Sequence, residues 1–172
     1  GVTRETLVGV SMERSLDLVV ALVGILKSGG AYVPLDPEAP PARLSMMLED
    51  TQTPVVLTQK RLADLFAAPN VRVIAVDDLA DTLASMPSQN PERINRPGDA
   101  AYAIYTSGST GVPKAAVNEH RGIANRILWM QAQYRLDETD RVVQKTPFTF
   151  DVSVWEFFWP LIAGARLVVA KP

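Results

Sequence analysis

Residues 106–114 have the composition of a loop that binds phosphate groups. Within nine residues, TSGSTGVPK, the segment combines hydroxyl side chains, two glycines and one lysine, directly after a strand-like run. Glycine permits positive φ and close approach to the backbone. Backbone N–H groups and hydroxyls can then donate hydrogen bonds to anionic oxygens, and the lysine ammonium adds positive charge. The chemistry predicted for this loop is therefore the binding of a polyphosphate.

Other interpretations of the same segment fit less well. Most clusters of glycine and serine are flexible surface loops, but here a strand-like run precedes the segment and a Pro–Lys pair closes it. The Walker A pattern, G-x-x-x-x-G-K-[ST], needs a wider spacing than that of Gly108 and Gly111, and here Pro113 precedes the lysine. The dinucleotide pattern G-x-G-x-x-G fails as well.

Asp151 is the second residue whose position suggests chemistry. It lies between Phe150 and a largely apolar run, 152–158, so we expect low-dielectric surroundings in which its carboxylate needs a partner. Aspartate is also a favoured helix N-cap. However, Ser153 and Glu156 fit the capping box S-x-x-E, which predicts that Asp151 is available to a ligand.

Alternating strands and helices must position these residues. The apolar and β-branched runs predict strands at 7–12, 31–35, 54–58, 71–76, 101–105, 115–118, 141–145 and 166–170. Helical spacing and capping residues predict helices from the Ser15 N-cap to Lys27, from Pro40–Pro41, and at 60–66, 78–84, 121–134 and 153–163. This order is typical of an α/β fold with largely parallel sheets.

One segment, 85–98, divides the predicted elements. It is polar, contains three prolines and has no periodicity, so it predicts a linker or surface loop. We place a first α/β segment at 1–84 and a second at 99–172, which carries the phosphate loop and Asp151. Because the strand–helix order starts again at Ala100, a second sheet is expected there.

Composition excludes several classes of function. The 17 basic and 19 acidic residues nearly cancel, giving a net charge of -2, which does not favour nucleic acid or an anionic membrane. The chain has no cysteine and one histidine, so thiol catalysis and thiolate or His-rich metal sites are excluded, and any metal must arrive with a ligand. No apolar run approaches the roughly 20 residues of a membrane span. A cytoplasmic protein is therefore expected.

Three stretches, in order, resemble one family. AYAIYTSGSTGVPK (101–114) resembles the phosphate-loop signature of the adenylate-forming superfamily, and specifically of the adenylation domains of non-ribosomal peptide synthetases. LKSGGAYVPLDP (26–37) resembles the family's second core motif, and FDVSVWEFFWPLIAGARLVVA (150–170) resembles its fourth. One departure is Ala115, where the family usually has glycine.

The resemblance implies a fold, a reaction and a phosphate site. The fold would be part of the large N-terminal subdomain of an adenylate-forming enzyme. In the implied reaction, an amino-acid carboxylate attacks the α-phosphorus of ATP bound with Mg²⁺, giving aminoacyl-AMP and pyrophosphate. The residues implied to hold the β- and γ-phosphates are Thr106, Ser107, Gly108, Ser109, Thr110, Gly111 and Lys114.

The fourth motif implies the substrate site. The aspartate of F-D-x-S, here Asp151 after Phe150, would pair with the α-ammonium group of the amino acid. Val152 and Trp155 match positions that line the family's side-chain pocket, where an indole beside a small aliphatic residue leaves a small cavity. The Asp-Val-Trp start is most similar to serine-activating domains, while threonine and other small amino acids stay open.

The resemblance also implies partners and an incomplete domain. Full-length relatives pass the acyl group to the phosphopantetheine thiol of a carrier protein, so carrier and condensation domains are the expected partners. A complete member is several times longer and has later adenine- and ribose-binding motifs and a catalytic lysine. The 172 residues are therefore expected to be an N-terminal part that is inactive alone. The alternatives are an acyl- or aryl-acid-CoA ligase, which has no use for an ammonium-binding aspartate, and a non-catalytic nucleotide-binding fragment.

Overall fold

The computed structural model describes residues 1–107 and 113–170. The strands in this part of the chain are β1 (Leu7–Ser11), β2 (Ala31–Pro34), β3 (Val55–Thr58), β4 (Arg72–Ala75), β5 (Ala100–Thr106), β6 (Lys114–Glu119), β7 (Arg141–Gln144) and β8 (Arg166–Val169). The α-helices are α1 (Leu16–Lys27), α2 (Pro41–Asp50), α3 (Ala80–Ala84), α4 (His120–Tyr134) and α5 (Val152–Ala163), and short 3₁₀ helices occupy Lys60–Phe66 and Val76–Asp78. The predicted α/β class is confirmed.

Helix α1 begins and ends where local chemistry predicts. The Ser15 hydroxyl accepts a hydrogen bond from the Leu18 backbone N–H at 3.2 Å, which satisfies one donor of the first turn. Leu18, Leu22 and neighbouring apolar residues of one face are buried. Gly29 ends the segment with φ +90, a conformation that glycine adopts without steric cost.

Six strands form one sheet in the order β4-β3-β1-β2-β5-β6, and β7 pairs with β8 in a second, two-stranded parallel sheet. All neighbours in the large sheet are parallel except β5 and β6, which are antiparallel. The expectation of a new sheet beginning at Ala100 is wrong, because β5 pairs with β2 through Tyr32 and Tyr102. Residues 100–104 are all buried, as in a strand of a sheet that is covered on both faces.

An ion pair at the end of the 85–98 segment fixes β5 to the start of the chain. The Arg4 guanidinium donates two hydrogen bonds to Asp99, at 2.7 and 2.5 Å, and the Arg96 backbone N–H donates a third at 2.8 Å. The hydrogen bonds from Arg4 hold the pKa of the Asp99 carboxyl well below its ordinary 3.8. The segment 85–98 therefore connects two parts of one sheet.

Helices cover both faces of the large sheet. One core contains buried residues of α1, α4 and α5 together with Val8, Val10 and Tyr102 of the sheet. The other contains residues of α2, together with Val33, Val56 and Ala103. Helix α5 also contacts β7 and β8. No helix in the described part of the chain is long and apolar enough to cross a membrane.

Candidate functional site

The predicted phosphate loop begins at the end of β5 and ends at the start of β6. Thr106 and Lys114 are Cα partners at its base, and the Thr106 hydroxyl donates a long hydrogen bond, 3.4 Å, to the Lys114 carbonyl oxygen. Both residues and Ser107 are exposed. The predicted residues Gly108, Ser109, Thr110 and Gly111 lie outside the described residues. Ala115 continues β6 without a positive φ, so it adopts the strand conformation without glycine's freedom.

A tyrosine hydrogen bond attaches the end of β5 to helix α2. The Tyr105 hydroxyl donates a hydrogen bond of 2.5 Å to Asp50 Oδ2 at the end of α2. Burial, followed by this hydrogen bond, raises the pKa of Tyr105. This hydrogen bond connects α2 to Tyr105, the residue immediately before Thr106. Sequence reasoning missed it because Asp50 and Tyr105 are far apart in the chain.

Three of the predicted substrate residues line one cavity of about 380 Å³. Asp151, Val152 and Trp155 contribute from the start of α5. The remaining lining residues come from β5, β6, α4 and α5: Tyr102, Asn118, Gly122, Ile123, Arg126, Ile127 and Val154. Phe150 does not belong to the lining and is 58% exposed. The structure thus brings together three of the four residues predicted from the fourth motif.

The expected burial of Asp151 is wrong, because the residue is exposed. It lies immediately before α5, and burial along this segment begins only at Ser153. Val154 and Phe157 are buried in the core, whereas Val152 is 38% exposed. A helical repeat separates neighbouring side chains by about 100°, so the apolar run that suggested burial does not surround the carboxylate. Asp151 lies at the mouth of the cavity.

The predicted capping box is also wrong. Helix α5 begins at Val152, so Ser153 lies inside its first turn, and its hydroxyl donates to the Phe150 carbonyl oxygen at 2.7 Å. Glu156 accepts hydrogen bonds from the loop after β7 rather than from the helix N-terminus. The side chain of Asp151 makes no capping hydrogen bond, so the capping interpretation of this residue is excluded by geometry.

One β-hairpin relates Asp151 to the predicted phosphate loop. Asp151 and Tyr102 line the same cavity, and burial, followed by the negative charge of Asp151, raises the pKa of Tyr102. Tyr102 and Asn118 are paired in β5 and β6. Four residues of strand separate Tyr102 from Thr106, which corresponds to about 13 Å. The cavity and the Thr106–Lys114 pair therefore lie at opposite ends of a short hairpin.

Packing fixes the orientation of the Trp155 indole. Its ring centroid lies 6.1 Å from that of Trp159 in an edge arrangement, and the Trp159 indole N–H donates to Gln131 Oε1 at 2.6 Å. Arg126, another wall of the cavity, lies with its guanidinium carbon 5.0 Å from the Trp129 ring centroid. Sequence reasoning missed Asn118 and Arg126, for which no motif gave a signal.

Comparison with known proteins gives consistent matches. The profile of a family described as AMP-binding enzyme matches residues 1–172. The chain is 46% identical over 172 residues to tyrocidine synthase 3 of Brevibacillus parabrevis, covering 100% of this chain and 3% of that protein. It is 45% identical over 173 residues to zwittermicin A synthase ZmaJ of Bacillus cereus, covering 100% and 32%.

Solved structures agree with these matches. The nonribosomal peptide synthetase FmoA3 bound to alpha-methyl-L-serine-AMP has a TM-score of 0.90 and 36% identity, covering 100% of this chain and 19% of that one. The AMPPNP-bound form of FmoA3 has a TM-score of 0.89 and 36% identity, covering 100% and 18%. The chain thus spans about a third or less of the length of each of these proteins.

Proposed function

The chain belongs to the AMP-binding enzyme family, and from this premise we propose that it is part of a domain that uses ATP to convert an amino acid to aminoacyl-AMP, releasing pyrophosphate. The activated amino acid is then loaded onto a carrier protein for non-ribosomal peptide synthesis. Matches to peptide synthetases along the whole chain support this proposal. They also favour it over an acyl-CoA ligase.

The observation that carries the proposal is the cavity shared by Asp151, Val152 and Trp155. A carboxylate at its mouth can accept hydrogen bonds from a substrate ammonium group, and such charge-assisted bonds are stronger than neutral ones. The exposure of Asp151 weakens this interaction, because water screens it. We therefore propose that parts of the complete domain outside these 172 residues supply further walls that exclude water from the bound amino acid.

The phosphate groups of ATP would lie at the turn between β5 and β6. Thr106 and Ser107 offer hydroxyls, and the Lys114 ammonium, which makes no ion pair with another described residue, offers a positive charge. These groups fit a polyanionic ligand, and we assign the β- and γ-phosphates to them together with Gly108, Ser109, Thr110 and Gly111. Mg²⁺ would enter with ATP and neutralise part of its charge.

Catalysis in this arrangement consists of positioning and charge stabilisation. The carboxylate of the amino acid is the nucleophile, and pyrophosphate is the leaving group, so the protein needs no covalent intermediate. The phosphate turn stabilises negative charge that develops on pyrophosphate. Asp151 fixes the amino group, which directs the neighbouring carboxylate toward the α-phosphorus.

We propose a small polar amino acid as substrate, with serine favoured. The lining includes the bulky, half-buried Trp155 indole, and Val152 contributes only a small aliphatic side chain. FmoA3, 36% identical to this chain, is described as binding alpha-methyl-L-serine-AMP, which supports this choice. Carrier and condensation domains are the proposed partners, the carrier bearing phosphopantetheine. The cytoplasm is the proposed location, and the 172 residues alone are proposed to be inactive.

Pyrophosphate exchange by the complete domain tests this function. The panel contains serine, threonine, larger amino acids, the hydroxy acid that matches serine, and aryl and fatty acids. We expect exchange with serine above all others, and a reduction of at least about 100-fold in kcat/KM for Asp151→Asn, because one ammonium-binding charge is lost.

The matched control is Asp81→Asn, an exposed aspartate in the first turn of α3, which should leave exchange unchanged. Exchange that depends on aryl or fatty acids rather than amino acids would refute the proposal. Equal exchange by the Asp151→Asn variant and the unmodified domain would remove Asp151 from the substrate site.

A further inference from the structure

Glu156 is a buried carboxylate outside the cavity. Its side chain is part of a residue that is only 4% exposed, and it makes no ion pair with another described residue. Burial of an unpaired carboxylate is costly unless several donors satisfy its oxygens. A buried glutamate in the middle of the apolar helix α5 therefore needs specific hydrogen-bond partners.

Four donors from the end of β7 and the following loop satisfy Glu156. The backbone N–H groups of Lys145 and Thr146 donate to Oε2, both at 3.1 Å, and the Thr146 hydroxyl donates to Oε1 at 2.6 Å. The Gln144 side-chain amide adds a longer bond of 3.3 Å to Oε2. Glu156 therefore fixes the point at which the chain leaves β7 and enters the loop 145–151.

The other end of this loop is fixed by the same helix. The Ser153 hydroxyl donates to the Phe150 carbonyl oxygen at 2.7 Å, and the Val154 backbone N–H donates to the Asp151 carbonyl oxygen at 3.1 Å. The loop that ends in Asp151 is thus attached at its start by Glu156 and at its end by the first turn of α5.

We propose that Glu156 is a positioning residue that holds the 145–151 loop in the conformation that places Asp151 at the cavity. This inference rests on the proposed function of Asp151 as the site of the substrate ammonium group. Glu156 itself does not line the cavity, so it acts through the loop and not by contact with the amino acid.

The substitution Glu156→Gln conserves size and removes the charge that attracts these donors. One oxygen becomes an NH₂ group, to which the Thr146 hydroxyl must now present its oxygen as acceptor, and the bonds from Gln144, Lys145 and Thr146 to the remaining oxygen are no longer assisted by a negative charge. The start of the loop is then held less strongly. A displacement of about 1 Å at Asp151 corresponds to a loss of up to about 100-fold.

The experiment measures amino-acid selectivity in the complete domain. Pyrophosphate exchange is recorded with serine and with its hydroxy-acid analogue, and KM is determined separately for serine and ATP. For Glu156→Gln we expect the KM for serine to rise about 10- to 100-fold, the KM for ATP to change less than about twofold, and the preference for serine over the hydroxy acid to fall. A structural defect without displacement of Asp151 would instead lower both activities equally.

A second pair of variants decides the question if Glu156→Gln does not fold. Thr146→Val removes the shortest donor to Glu156 without a change of shape and should lower the same preference, whereas Thr146→Ser keeps the hydroxyl and should retain it. Glu92→Gln, at an exposed residue of the 85–98 segment, is the matched control.

The outcomes separate this inference from the proposed function. If Asp151→Asn leaves the serine preference unchanged, the proposed function and the inference both fail. If Asp151→Asn removes the preference while the folded Glu156→Gln and Thr146→Val variants keep it, only the positioning role is refuted. Loss of the preference in all three supports the inference.

Discussion

The substitution Tyr32→Phe should stabilise the protein, although it removes a polar group from the core. Tyr32 is 1% exposed, and its hydroxyl has no hydrogen-bond partner among residues 1–107 and 113–170. Its ring packs against Tyr102 and Phe158, with centroid distances of 5.6 and 6.4 Å. The phenylalanine ring keeps these contacts, so the substitution affects only the hydroxyl.

The magnitude follows from two opposing effects. A buried hydroxyl without a partner costs about 1–3 kcal/mol relative to water. Removal of one oxygen leaves a void of roughly 10 Å³, which at about 24 cal/mol per Å³ costs only about 0.2 kcal/mol. We therefore expect the free energy of unfolding to rise by about 1–3 kcal/mol, equivalent to about 2–12 °C in Tm.

Urea unfolding followed by tryptophan fluorescence measures this change, with Tyr134→Phe as control. Tyr134 is 66% exposed, so its variant should stay within about 0.5 kcal/mol of the parent protein. Alkaline pH gives an independent test. Burial raises the pKa of Tyr32 above its ordinary 10.0, so the folded state disfavours ionisation and stability falls as pH rises above that value.

The Tyr32→Phe variant lacks this ionisation and should lose less stability in alkali. A destabilisation of more than about 1 kcal/mol at neutral pH would refute the reasoning, because it would mean that the hydroxyl has a partner, such as a buried water molecule.

Two further predictions concern the start of β5 and the C-terminal part of α1. Asp99 has a lowered pKa because of Arg4, so its contribution to stability is complete above the ordinary pKa of 3.8 and is lost as pH falls below that value. The Asp99→Asn variant should therefore show a weaker loss of stability in acid when urea unfolding is measured as a function of pH. An unchanged acid dependence would contradict the role of the Arg4–Asp99 pair. Gly29→Ala should destabilise the protein by at least about 1 kcal/mol, because φ is +90 and a Cβ would lie 2.7 Å from the Ile94 side chain. Gly24→Ala, inside α1 with open space around it, should instead stabilise the protein by about 0.5–1 kcal/mol. Equal effects of both substitutions in thermal unfolding would exclude the positive φ of Gly29 as the cause.

The elements were predictable because their signals are local. Ser15 caps α1 as predicted, and Leu44, Met47 and Leu48 form the buried face of α2. The resemblance to adenylation domains of peptide synthetases, based on three short motifs, is confirmed by the family match and by the structural neighbours. Each of these inferences needs only residues that are close together in the chain.

The failures share one physical cause, which is that they depend on tertiary contacts. Strand β5 pairs with β2, and the paired residues Tyr32 and Tyr102 are 70 positions apart in the chain. No local pattern specifies this pairing. The Ser153–Glu156 spacing satisfied a capping motif, yet the glutamate found stronger partners in the loop after β7. The exposure of Asp151 depends on how α5 packs in the core, since burial begins only at Ser153.

The antiparallel pairing of β5 and β6 explains how the two halves of the candidate site are related. A β–α–β alternation predicts parallel neighbouring strands, which are joined by long crossover connections. In a β-hairpin, by contrast, the second strand pairs directly with the strand that precedes it in the chain. Because Thr106 pairs with Lys114 and Tyr102 with Asn118, the base of the predicted phosphate loop and the cavity are separated by a fixed length of strand. A slip of one residue in this register would turn Asn118 away from the cavity. The register of a single hairpin therefore sets the distance between the sites proposed for the phosphates and the amino acid.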